Sequence, residues 1–273
     1  MTGDVRVCNN GDWMEGMMRA HAGRLLQWSL RSGPILVLLA GCVAGNVTPR
    51  VLSVPERPQS AMVPVLERVA GDSSQVVVAA GAATSGFNAR VYAFEKGAGG
   101  WHEVSPPVKA VIGRNGFALP GRKREGDGMT PTGVFPLGPA FGYEPTMATR
   151  MDYRQATERD IWVDDPDSPD YNRWVSKGAT TAASFEEMRR SDNLYRYGLV
   201  IGYNTSPVVR GLGSAIFFHV WRGEGMPTSG CVGLPEESMV RILGWLDPAR
   251  KPLAILGMPD DLEALPASLG NRP

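Results

Sequence analysis

Six short runs set the limits on what this chain can fold into. Gln75-Val-Val-Val-Ala79, Arg90-Val-Tyr-Ala-Phe94, Asp160-Ile-Trp-Val163, Tyr197-Gly-Leu-Val-Ile-Gly-Tyr203, Ala215-Ile-Phe-Phe-His-Val-Trp221 and Pro252-Leu-Ala-Ile-Leu256 are strand-length and rich in β-branched and aromatic residues. Only two segments read as helix. Ser184-Phe-Glu-Glu187 has the form of a capping box opening a short helix towards Arg190. A second helix is expected from about Pro235, with Met239, Ile242, Leu243 and Leu246 on one face and Asp247-Pro248 ending it. The 33 glycines and 22 prolines make up about a fifth of the chain and supply turns. A mainly β domain follows, with a few short helices.

The 273 residues are 43% hydrophobic and 21% charged, enough apolar mass for one sizeable core. Twenty-eight basic residues balance twenty-eight acidic ones, so no basic field points to nucleic acid. The sequence leaves the oligomeric state open.

The N-terminal stretch is of another kind. Arg19, His21, Arg24 and Arg31 precede the apolar run Pro34-Ile-Leu-Val-Leu-Leu-Ala40, and Gly41-Cys42 follows. A basic region, a short apolar segment and small residues describe a secretory signal, with Met17 or Met18 as a natural start. Leu39-Ala40-Gly41-Cys42 resembles the lipobox of bacterial lipoproteins, which implies cleavage before Cys42 and lipidation there; an ordinary secretory signal with an incidental cysteine is the alternative. Residues 1–41 are thus expected as signal peptide and 42–62, with prolines 49, 55 and 58, as lipidated cysteine and flexible tether. The domain proper is expected over 63–258, with 259–273 as a tail. The expected location is the bacterial envelope, periplasm-facing and membrane-held through Cys42. Val43 follows that cysteine where an aspartate would often signal inner-membrane retention, which favours the outer membrane.

Export changes the cysteine count. Cys8 would leave with the signal and Cys42 would carry lipid, so Cys231 becomes a lone thiol in an oxidising compartment. Such a thiol is either buried and inert or kept for its reactivity. On a strand, Phe217, His219 and Trp221 share one face and Ile216, Phe218 and Val220 the other. The turn Arg222-Gly-Glu-Gly-Met-Pro-Thr-Ser-Gly230 can fold back and bring Cys231 beside His219. A neighbouring imidazole can take the thiol proton, Gly230 leaves room beside the sulfur, and loop amides of 229–231 could face an oxyanion. Zinc is not expected, because His102, His219 and Cys231 lack ligand spacing. Nor do these residues call for any other cofactor.

Upstream, Lys123-Arg-Glu-Gly-Asp-Gly-Met-Thr-Pro-Thr-Gly-Val-Phe135 suits a tight loop whose backbone approaches something closely. It has neither a Walker-type nor a dinucleotide fingerprint. On residue chemistry alone it reads as a hairpin loop with solvated charges.

Ser214-Ala-Ile-Phe-Phe-His219 followed by Thr228-Ser-Gly-Cys-Val232 resembles the signature of the YkuD-type L,D-transpeptidase catalytic domain, in which a strand histidine precedes a Ser/Thr-x-Gly-Cys turn. Gly113-Arg-Asn-Gly-Phe117 with Lys123 and Gly126–Phe135, Trp162-Val-Asp-Asp165 and Tyr203-Asn204 also resemble that family, over about residues 75–257. The resemblance implies a barrel-like or sandwich-like β domain acting on peptidoglycan stem peptides. It also implies Cys231 as nucleophile and His219 as base, with Ser229 and Gly230 beside the nucleophile. A thioester forms at the carbonyl before a terminal D-alanine, and an amine then takes the acyl group. Arg114, Lys123, Asp127, Tyr203, Trp221 and Thr228 are the candidate substrate contacts. Ser229 stands where many members have a second histidine and Gly233 where many have a polar residue; the His219–Thr228 gap is also shorter. These departures leave the acceptor open, since an L,D-carboxypeptidase or amidase would use the same acyl-enzyme. A peptidoglycan-binding lipoprotein without turnover is the reading from another class.

Overall fold

The computed structural model describes residues 59–81 and 86–266. The expected signal peptide, Cys42 and most of the tether lie outside these residues. In chain order the elements are α1 (Gln59–Val69), β1 (Gln75–Gly81), β2 (Asn88–Gly97), β3 (Gly100–Glu103), β4 (Val108–Val111), β5 (Gly133–Gly142), β6 (Tyr153–Gln155) and β7 (Asp160–Val163). There follow β8 (Trp174–Ser176), β9 (Phe185–Glu187), β10 (Tyr197–Ile201), β11 (Phe217–Val220), β12 (Val232–Leu234), α2 (Glu236–Trp245), β13 (Leu253–Gly257) and α3 (Pro259–Glu263).

Eight strands close on themselves in the order β1-β13-β5-β10-β11-β12-β4-β2, because β1 pairs with β2 as well as with β13. Closure gives each of the eight a partner on both sides, which a short strand needs if its backbone groups are to be satisfied away from water. The β1–β13 and β11–β12 pairs are parallel and the remaining barrel pairs antiparallel. The mainly β, barrel-like expectation is met.

Alternation sorts the strands into an inside and an outside. Val77, Ile112, Leu199, Phe218 and Val232 form one buried cluster, and α2 adds Met239, Ile242, Leu243 and Leu246 to it. These four lie at helical spacing, so the helix read from the sequence lays its apolar stripe on the barrel core. Outside, α1 packs Met62, Val65, Leu66 and Val69 against Val76 and Val78 of β1 and Phe94 of β2. The helix thus begins four residues inside the stretch expected to be tether. The expected tail is also structured in part. Leu262 of α3 is buried in the same cluster, and the Arg68 guanidinium donates to the carbonyls of Leu262, Glu263 and Leu265.

On another part of the outer surface lies a separate three-stranded sheet, β8-β7-β9. It corrects one expectation: Ser184–Arg190 is not helical. Phe185–Glu187 pairs antiparallel with β7, and the Ser184 hydroxyl donates to Asp164 Oδ1 (2.5 Å) instead of capping a helix. Pairing and that competing bond override a weak local signal.

This sheet meets the barrel through aromatic rings. Phe141 of β5 stands edge-on to Trp174, Tyr195 and Phe217 at centroid distances of 5.7, 5.7 and 5.3 Å. Gly198 of β10 makes room for that ring, since a Cβ there would fall 2.1 Å from a Phe141 ring atom. Gly198→Ala should therefore overpack the junction and cost about 2–3 kcal/mol. For a domain of this size that is a fall of about 5–10 °C in Tm by calorimetry; an unchanged Tm would refute the packing argument.

Candidate active site

His219 and Cys231 reach the same face by strand register. β11 and β12 run parallel, with Phe218 opposite Val232 and His219 opposite Gly233. Cys231 precedes β12 by one residue, so it lies on the outward face with Phe217 and His219, two positions from the histidine along the neighbouring strand. Phe217 and Cys231 belong to the cluster beneath the three-stranded sheet, whereas Ile216 and Phe218 belong to the barrel interior. The alternation expected along 216–221 holds for these residues.

Both groups are withdrawn from water, at 6% exposure for Cys231 and 5% for His219. Imidazole Nδ1 lies 2.7 Å from the Val220 carbonyl oxygen. A carbonyl only accepts, so Nδ1 carries the proton and donates, leaving Nε2 as the basic nitrogen. The ring also packs edge-on against Tyr195 at 5.2 Å. Burial lowers the imidazole pKa to about 4, against the pull of the Val220 carbonyl, with Arg190 contributing in the same direction as burial. The histidine is therefore neutral at physiological pH.

The thiol donates to the Ala215 carbonyl at 3.2 Å. Burial pushes its pKa well up and Glu186 adds to this, while the Phe217 amide, Lys123 and Arg190 act the other way. The resting pair is thus neutral thiol and neutral imidazole. The chemistry open to such a pair is general-base activation of the thiol, not that of a standing ion pair.

A polar network lies beyond the pair. The Tyr195 hydroxyl donates to Glu186, and the Arg190 guanidinium lies 5.2 Å from the Tyr195 ring. Arg190 also makes two hydrogen bonds to Asp192, at 2.9 and 2.7 Å.

The turn before Cys231 is organised by its own side chains and by the glycine-rich loop. Thr228 Oγ1 donates to the Cys231 carbonyl (2.6 Å) and accepts from the Gly230 amide (3.2 Å). Gly230 sits at φ +149°, and a Cβ there would lie 2.9 Å from the Met129 carbonyl oxygen. Its lack of a side chain therefore admits loop backbone, not open space beside the sulfur, and its amide is already bonded within the turn. Thr228 also bonds through its backbone to Ile112 and Arg114, both at 2.9 Å. The close approach expected of the glycine-rich loop is thus an approach to the turn that leads into Cys231.

The candidate substrate contacts separate into groups. Arg114 is exposed and its Nη1 donates to Ser229 Oγ at 3.3 Å, which puts a guanidinium on the rim of the turn. Lys123 is no solvated charge. It is 4% exposed, and its ammonium donates to Asp127 Oδ1 (2.6 Å) and to the Arg124 carbonyl (2.7 Å). Asp127 also accepts from the Arg124 and Met129 amides, so this pair folds the loop and the solvated-charge reading fails here. Tyr203 donates its hydroxyl to the Leu212 carbonyl at 2.6 Å. Half-buried Trp221 packs its backbone and Cβ where a side chain at Gly233 would stand, with a Cβ there only 3.0 Å from the Trp221 Cβ.

Sequence reasoning missed Glu125, Tyr171, Asn172 and Tyr195, which come from distant segments and surround the pair or its supports. Tyr171 donates to Glu125 Oε2 at 2.5 Å, and Ser214 Oγ donates to the same oxygen at 2.7 Å. No local pattern marks such residues.

Residues 88–255 match the family model of YkuD, the L,D-transpeptidase catalytic domain. No curated protein sequence matches the chain. Among solved structures, the chain is similar to the helical cell shape determining protein Pgp2 of Campylobacter jejuni, at 16% identity and a TM-score of 0.34, over 68% of this chain and 48% of that one. The K307A mutant of Pgp2 matches over the same shares at 15% identity and the same TM-score. The chain thus aligns with about half the length of that protein. By the match over residues 88–255, this chain belongs to the L,D-transpeptidase catalytic domain family.

Proposed function

We propose that this protein is a peptidoglycan L,D-transpeptidase in which Cys231 is the nucleophile and His219 the base. The observation that carries the proposal is the parallel register, which sets the free buried thiol of Cys231 and an imidazole whose Nε2 is unprotonated on one covered face. Family membership supports peptidoglycan stem peptides as substrates.

In the reaction, Nε2 of His219 takes the Cys231 proton as the sulfur attacks the carbonyl before the terminal D-alanine. The C–S bond forms and the carbonyl electrons move to oxygen. As they return, the C–N bond breaks, His219 gives its proton to the departing D-alanine nitrogen, and a thioester remains. An amine of a second stem then attacks the thioester, loses a proton to His219 and restores the thiol. Amines attack thioesters more readily than water does, so transfer competes with hydrolysis. We assign Arg114, whose guanidinium bonds Ser229 at the rim of the turn, to a substrate carboxylate, because a guanidinium pairs with one in two-pronged geometry. We further propose a lipidated Cys42 that holds the domain at the membrane of the bacterial envelope, with the outer membrane favoured by Val43.

The deciding experiment is intact-protein mass spectrometry of the protein with disaccharide-tetrapeptide, with and without an acceptor stem. A thioester adduct on wild type, absent in Cys231→Ala and in His219→Ala, is the expected result, together with cross-linked product. Released D-alanine without cross-link would reassign the enzyme as an L,D-carboxypeptidase. Binding without adduct would make it a non-catalytic peptidoglycan-binding protein.

The pH dependence follows from His219. Its imidazole must be unprotonated to accept, and burial holds its pKa near about 4. The acid limb of kcat/KM should therefore fall near pH 4, with activity retained at pH 5 to 6, where an imidazole titrating near the ordinary value of about 6.5 would already be failing. Assay at pH 7 after exposure to each pH separates this limb from unfolding. An acid limb between pH 6 and 7 would contradict the buried neutral base.

A further inference from the structure

The carbonyl that holds the nucleophile's proton belongs to a residue in an unfavourable conformation. Ala215 has φ +53°, in the left-handed region that a residue with a Cβ adopts only at a cost. It lies just before β11, and with a strand-like φ its carbonyl would be turned elsewhere. Something must therefore keep it as it is.

The segment is pinned residue by residue. The Gly213 amide donates to the Tyr171 hydroxyl oxygen (3.0 Å), Ser214 Oγ donates to Glu125 Oε2 (2.7 Å), and the Ala215 amide donates to Asn172 Oδ1 (3.1 Å). Asn172 is 3% exposed and all its side-chain bonding capacity is engaged. The same Oδ1 accepts from Trp162 Nε1 (2.9 Å), while Nδ2 donates to the carbonyls of Asn204 (2.6 Å) and Tyr203 (3.2 Å). An amide so fixed has one orientation. It joins the three-stranded sheet, through Trp162, to the backbone amide of Ala215, one of five described non-glycine residues with left-handed φ and the only one of them that is not asparagine or lysine.

We propose that Asn172 is a positioning residue for the nucleophile: by anchoring the Ala215 amide it holds the left-handed turn at residue 215 and so keeps the Ala215 carbonyl aimed at the Cys231 thiol. Glu125 and Tyr171 support it one and two residues upstream, at Ser214 and Gly213. The bond from thiol to carbonyl favours the protonated sulfur. The Phe217 amide, which favours the thiolate, is held independently by the pairing of β11 with β10 and β12. Loosening residue 215 therefore removes the acceptor and leaves the donor. Attack on substrate needs the thiol to leave the Ala215 carbonyl for Nε2 of His219, so this carbonyl sets the state from which the nucleophile starts. The inference rests on the proposed role of Cys231 only for its catalytic meaning.

The test is the pH dependence of Cys231 alkylation by iodoacetamide, followed by mass spectrometry on folded protein. It reads the sulfur whether or not any substrate is turned over. The charged and titratable groups that act on Cys231 are Glu186 of β9, Arg190, Tyr195 and Lys123 of the glycine-rich loop, with His219 of β11 on the same face by register, and none is altered in the variants used. Asn172→Ala should lower the alkylation midpoint by about one pH unit, making the thiol about tenfold more reactive near neutrality. Glycine adopts φ +53° without a Cβ penalty, so the double variant Asn172→Ala/Ala215→Gly should return the midpoint most of the way to wild type. A merely structural asparagine would give no such rescue. Should Asn172→Ala fail to fold, Asn172→Ser, whose hydroxyl is too short to reach both Trp162 and Ala215, carries the same expectation. An unchanged midpoint in folded Asn172→Ala, or a shift that Ala215→Gly does not reverse, would overturn the inference. Absence of an acyl-enzyme in wild type would instead overturn the proposed function and leave the alkylation result standing.

Discussion

The site depends on one pairing, that of β11 with β12. Parallel neighbours usually need a long crossover, often a helix. Here only residues 221–231 join the two strands, and they double back as a glycine-rich turn. The turn can be this tight because its far side rests on other backbone. Thr228 is bonded to Ile112 and Arg114, and Gly230 lies against the Met129 carbonyl. Register then fixes the rest. A slip of one residue would send the Cys231 side chain into the barrel and leave His219 on the outer face.

The closed barrel and the three-stranded sheet divide the work of holding that face. The barrel supplies rigidity, since β10 and β12 flank β11 with continuous ladders. The sheet supplies the environment. Through Trp162 and Trp174, with Tyr195 from the segment before β10, it removes water from the outer face, and this desolvation pushes the histidine and cysteine pKa values apart. The two units meet through aromatic edges at Phe141 and Phe217 and through the Asn172 amide, so chemical tuning and packing share the same contacts.

Much of this was legible in the sequence, for physical reasons. Once the run 215–221 is read as a strand, its geometry places His219 with Phe217 and apart from Phe218. The stripe at 239, 242, 243 and 246 marked α2. What stayed hidden was hidden by competing signals. β5 contains Pro136 and Pro139, which read as turn, and β12 is only Val232-Gly-Leu234. Prolines 55, 58 and 64 obscured α1, although Met62, Val65, Leu66 and Val69 carry its helical spacing. In the site, the Cys–His pair was readable because turn and strand are contiguous. The Glu125–Tyr171–Ser214 and Asn172–Ala215 contacts join residues more than forty positions apart, and chemistry at that separation leaves no periodic trace.

Burial of Cys231 beneath aromatic side chains bears also on how long the protein keeps its sulfur intact. Peroxides and disulfides attack thiolate and need to reach it. A thiol kept protonated against a backbone carbonyl, under tryptophan and phenylalanine rings, offers them little charge and only slow access. The cover over the pair thus acts as an antioxidant seal that small reagents pass slowly, and a ligand entering beside the three-stranded sheet would open it.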